Sequence, residues 1–64
     1  MIKTHAPSLY SALHYGLTGT ARKMLKAAFG LTLDSDLDEK LSSLTDADIP
    51  VLKAVDRQIK SLTL

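Results

Sequence analysis

TDADIPVLKAVDRQIKSL, residues 45–62, decides how the whole chain is read. Leu52, Val55, Ile59 and Leu62 step by three, four and three, the repeat that lays apolar side chains along one face of a helix. Lys53, Asp56, Arg57 and Lys60 fall between them and read as a solvated face, with Asp56 and Lys60 at the supporting i, i+4 spacing. Thr45, followed three residues on by Asp48, resembles a capping box with Asp in place of the usual Glu or Gln. Pro50 leaves a second start open, because a proline deeper than the first turn loses a hydrogen bond and collides with the turn before it. In that version Asp48 is the cap, Ile49 and Pro50 lie in the first turn, and Thr45 to Ala47 form the joint. The helix is expected over about 47–62, the longest in the chain, with its first residues falling to the joint if Asp48 is the cap.

Working upstream, three shorter helices separate at glycines and caps. Pro7 suits a first-turn position, and Leu9, Ala12, Leu13 and Leu17 keep helical spacing around a stop at Gly16, giving a helix over about 7–16. Thr18 or Thr20 is placed to cap the next, about 20–29, whose stripe of Ala21, Met24, Leu25 and Ala28 faces away from Arg22, Lys23 and Lys26 and ends at Gly30. Asp34 or Ser35 is placed to cap a third, about 36–43, with Leu37, Leu41 and Leu44 on one face and acids in the first turn. Tyr15-Gly16-Leu17-Thr18 and Phe29-Gly30-Leu31-Thr32 repeat the same punctuation: an aromatic closes a helix, glycine takes the left-handed cap, and leucine packs back beneath it. The expected fold is all-α, a small helical bundle of three to four short helices forming one domain over residues 1–64.

The composition agrees with that fold and limits what it can do. The sequence has 64 residues, 45% of them apolar, no cysteine, no tryptophan, one phenylalanine and two tyrosines. The core must therefore be built from leucine and alanine without disulfide support, and a core of this size supplies only about 3–5 kcal/mol. Marginal stability of that kind makes a partner surface, such as a second copy, an expected feature. No apolar run approaches the length of a membrane span, and Lys3, His5 and Pro7 interrupt the place where a signal peptide's apolar region would sit, so the expected compartment is the cytoplasm.

The net charge of +1 hides a division. Residues 1–33 carry Lys3, Arg22, Lys23 and Lys26 and no acid, whereas residues 34–64 carry four bases against seven acids. Six of those acids, Asp34, Asp36, Asp38, Glu39, Asp46 and Asp48, lie in one stretch relieved only by Lys40. Acids favour helix N-termini through the macrodipole, and the same layout also makes a polarised docking surface.

One motif points to nucleic acid. A helix, a Gly-Leu-Thr turn and a basic helix follow in the order a helix-turn-helix needs, with Ala12 at the small position, Gly16 at the turn and Leu25 in the second helix. Over about twenty residues from Ser8 this resembles the motif of small phage-type repressors. The resemblance implies a recognition helix offering Thr20, Arg22, Lys23 and Lys26 to phosphates and base edges. Arg22, however, stands where that motif buries a branched aliphatic, and an unpaired buried guanidinium is costly. A second register through Phe29 to Thr32 puts Asp36 and Glu39 in the recognition helix and is set aside, since its charge opposes the phosphate backbone.

Other chemistries fail on spacing. Asp34-x-Asp36-x-Asp38 opens like a calcium loop, but Glu39 replaces the required glycine and Thr45 the closing glutamate. His5 and His14 stand nine residues apart without cysteine or a carboxylate at ligand spacing, and Ser11 with His14 lacks a third, orienting group. Gly16 to Thr20 ahead of Arg22 and Lys23 has small residues at a helix start but not the spacing of a P-loop.

No cofactor or metal is expected, and the chain reads as a non-enzymatic protein-interaction module, a regulator or inhibitor that occupies a partner's surface. Asp36, Asp38 and Glu39 supply the charged rim, and Leu52, Val55 and Ile59 the apolar contact, to a protein partner or a second copy. The alternative is a dimeric helix-turn-helix DNA-binding regulator using Thr20, Arg22, Lys23 and Lys26. The two part on one point: DNA binding needs the α-helical cations on an exposed ridge, whereas pairing with the acidic segment turns them inward.

Overall fold

The computed structural model describes residues 2–63, and every regular element among them is helical. Five helices follow one another: α1 (Ile2–His5), α2 (Pro7–His14), α3 (Thr18–Phe29), α4 (Asp34–Ser42) and α5 (Ile49–Thr63), the last entered through a 3-10 turn at Asp46–Asp48. The all-α class is therefore as expected, with α2 to α5 as the four anticipated helices and α1 as an addition. Proline explains why α1 and α2 are two pieces. A residue before proline is disfavoured in the helical region, and Ala6 sits at φ −143°, ψ 68° while two bonds, Ala6 N–H to the Ile2 carbonyl and Tyr10 N–H to the Ala6 carbonyl, bridge the break.

The joints follow from glycine and from backbone pairing more than from side-chain caps. Gly16, at φ 110°, turns the chain after α2, which ends at His14, two residues before the expected stop. α3 starts earlier than expected, at Thr18, and its cap residue is Leu17, with neither Thr18 nor Thr20 in that role. The Thr18 hydroxyl donates instead to the Leu13 carbonyl at 3.0 Å, satisfying the end of the preceding helix. After α3, Gly30 at φ 72° completes a Schellman turn: Gly30 N–H bonds the Ala27 carbonyl and Leu31 N–H the Lys26 carbonyl at 2.7 Å. The start of α4 is also shifted. Leu33 occupies the cap with no side-chain bond, and Asp34 is already helical.

Of the two starts left open for the last helix, the structure has the capping box on Thr45. Thr45 N–H donates to Asp48 Oδ2 at 3.0 Å. Pro50 has no N–H to give the Asp46 carbonyl, which accepts from Ile49 instead, and this i→i+3 bond is why the first turn is tightened to 3-10.

α2, α3 and α5 pack mutually, α1 lies on α2 and α5, and α4 lies along α3. Leu9, Leu25, Leu37, Leu52, Val55 and Ile59 are fully buried at the centre, with Ala6, Ala12 and Ala21 where small side chains let the helices approach. The radius of gyration, 10.6 Å, matches the ~10.7 Å of a compact chain of this length. The apolar stripe of α5 is buried only as far as Ile59, since Leu62 is 59% exposed. Asp56 also departs from the solvated face assigned to it. Its Oδ1 accepts the Leu9 N–H at 2.9 Å, capping the start of α2 from the far end of the chain because Ala6 offers no acceptor of its own.

Candidate functional site

The Schellman turn at Gly30 folds the acidic segment back along the basic helix. Arg22 and Lys26, one turn apart on α3, thereby meet Asp34 and Asp38, one turn apart on α4. Arg22 reaches Asp38 at 2.8 Å and Asp34 at 3.9 Å, and donates to the Asp34 carbonyl at 3.3 Å; Lys26 reaches Asp34 at 2.8 Å. The hydrogen bond from Lys26, then its charge, with Arg22 adding to it, holds the Asp34 carboxyl below the usual carboxylate value. A second pair closes the other end of α4. Lys40 reaches Asp48 at 3.2 Å while its ammonium lies 5.3 Å from the centre of the Phe29 ring. Asp48 is nearly buried, and the Thr45 N–H, with Lys40 behind it, keeps its carboxyl low as well.

These pairs redraw the charge layout read from sequence. Arg22 and Lys26 are half-buried and engaged, whereas Thr20 and Lys23 are exposed on α3. Arg22, at the position that the helix-turn-helix resemblance reserves for a buried aliphatic, is half-buried and has carboxylate partners. Asp38 is engaged too, which leaves Asp36 and Glu39 exposed on the outer side of α4, beside a small pocket that they share with Leu31, Lys40 and Ser43. Lys53 and Arg57 are exposed on α5.

Leu52, Val55 and Ile59 are consumed by the chain's own core, so the apolar contact expected from them is not presented to a partner. A groove of mixed polar and apolar lining lies instead along α2, reaching Leu17 and the edge of Ile59 on α5. Pro7, Ser8, Ser11, Ala12, Tyr15, Leu17 and Ile59 line this open groove of about 310 Å³. Tyr15, 79% exposed, forms its rim and continues a line of rings along α2, with Tyr10 to His14 at 4.5 Å and His14 to Tyr15 at 6.3 Å between centroids. Lys3 stands 5.8 Å from the Tyr10 ring. Sequence reasoning noted Tyr15 only as helix punctuation, and its place before Gly16 does not distinguish it from Phe29 before Gly30, which packs against the core. The pairing of α3 with α4 had a signal, the matched four-residue spacing of 22 and 26 against 34 and 38 across a glycine joint.

Among the described residues no three His, Asp or Glu side chains converge as a metal site, and no helix is long and apolar enough to cross a membrane. No protein family, curated protein or solved structure matches the chain.

Proposed function

We propose that this chain is a non-enzymatic protein-interaction module, a small cytoplasmic regulator or inhibitor that works by occupying a partner's surface. The open groove along α2, with Tyr15 exposed on its rim, is the observation that carries this reading. A large ring held at the edge of an open groove is the anatomy of a contact centre, because aromatics bring much buried area for little lost freedom. Asp36 and Glu39 on α4 supply the charge that steers the encounter. The engagement of Arg22 and Lys26 by carboxylates favours this reading over DNA binding, since a phosphate backbone must compete with charges already in place.

Photo-crosslinking from position 15 tests the reading. The expected result is one dominant adduct, lost when Ser11→Arg fills the groove and slowed at low salt by Asp36→Lys with Glu39→Lys. An adduct pattern indifferent to Ser11→Arg removes the groove from the reading, and an adduct of twice the chain's mass makes the partner a second copy.

A further inference from the structure

We propose that Arg22 and Lys26 form a latent binding site for the phosphate backbone of duplex nucleic acid, kept occupied by the Asp34 and Asp38 carboxylates of α4. The two cations stand one turn apart on a helix, a spacing that offers two charges to a run of anionic groups, and α4 answers with two carboxylates at the same spacing. Both short contacts are 2.8 Å, and the Asp34 backbone carbonyl adds a third acceptor to Arg22. α4 therefore presents to α3 what a phosphate backbone presents: anionic oxygens in a row, met by a guanidinium and an ammonium.

The contact is placed to exchange. The Asp34 and Asp38 side chains remain 67% and 65% exposed against 25% and 24% for Arg22 and Lys26, so a competing anion reaches the cations when the two carboxylates turn outward into solvent. Leu37, between them in sequence, is fully buried and anchors α4 while the carboxylates swing away. Lys23, exposed on the same helix next to Arg22 in sequence, lies outside the pairing and gives an arriving backbone a first contact. The acidic helix thus acts as an intramolecular competitor, setting the affinity that a nucleic acid must exceed. This inference stands apart from the groove and survives if the groove has no partner.

The test is fluorescence anisotropy of a labelled random duplex across a salt series, using the full chain with Asp34→Asn and Asp38→Asn together. Removing the competitor should tighten binding at low salt by at least about tenfold and steepen the salt dependence by about two units of slope, one per cation released to a phosphate. Adding Arg22→Ala and Lys26→Ala to that variant should cancel the gain. Asp36→Asn with Glu39→Asn changes the net charge equally and should not reproduce it. No gain, a gain that survives loss of the two cations, or an equal gain from the outer-face variant each overturns the proposal. If far-UV circular dichroism shows the Asp34/Asp38 variant unfolded, the wild type decides: added duplex must shift the backbone amide resonances of residues 22–26 and 34–38 together, and duplex that leaves both segments unmoved overturns it.

Discussion

Leu37 and Leu62 have the same side chain and opposite surroundings, the first fully buried and the second 59% exposed. Leu37→Ala should cost about 2–5 kcal/mol through lost burial and a residual cavity, whereas Leu62→Ala should stay within about 0.5 kcal/mol; urea unfolding at neutral pH measures both. Periodicity marked both leucines as core, because a stripe records which face of a helix is apolar but not how far along it the neighbouring helices reach. Asp56 shows the complementary blind spot. Its i, i+4 spacing to Lys60 gave an adequate local explanation, while its actual bond runs to Leu9, 47 residues away. Asp56→Ala should lower stability by about 1 kcal/mol, the usual value of a helix cap, and a urea midpoint equal to wild type would show that Leu9 N–H needs no partner.

Helix existence was legible because leucine and alanine recur at 3.6-residue spacing, and glycine was legible as punctuation. Boundaries were less so. Thr18, Thr20, Asp34 and Ser35 all have side chains suited to capping, yet Leu17 and Leu33 hold the cap positions, and with Leu33 59% exposed its own packing does not explain that end. The four residues of α1 have no cap signal and are too few for periodicity to show. The glycines give a prediction with two signs. Gly30 needs φ 72°, so Gly30→Ala should destabilise by about 1–2 kcal/mol; Gly19, inside α3 with open space where a Cβ would go, should gain about 0.5–1 kcal/mol as alanine. Thermal melts that move the same way for both would contradict the backbone assignment.

For the molecule as a whole, opposite charge in the two halves of the sequence is partly cancelled by folding. The sequence displayed the division but not its closure, which depends on the interhelical register fixed by the Gly30 turn. Asp34 and Asp48 both titrate lower in the folded chain than their ordinary 3.8. Their stabilising effect is therefore complete above that ordinary value and fades as pH falls through the folded values. The urea midpoint should hold down to about pH 4 and then decline, with a shallower decline in Asp48→Asn. A wild-type midpoint that is constant down to about pH 2 would show that neither carboxyl is tied to folding.

The bond from Asp56 to Leu9 also governs when an amide proton can escape. Leu9 is the third residue of an eight-residue helix, in the first turn, where amide protons ordinarily trade with solvent through fraying. Its proton is held by α5, so α2 must part from the opposite end of the sequence before the trade occurs. In deuterated water Leu9 should be retained about as long as the amides of the core helices, and Asp56→Ala should release it early while theirs persist.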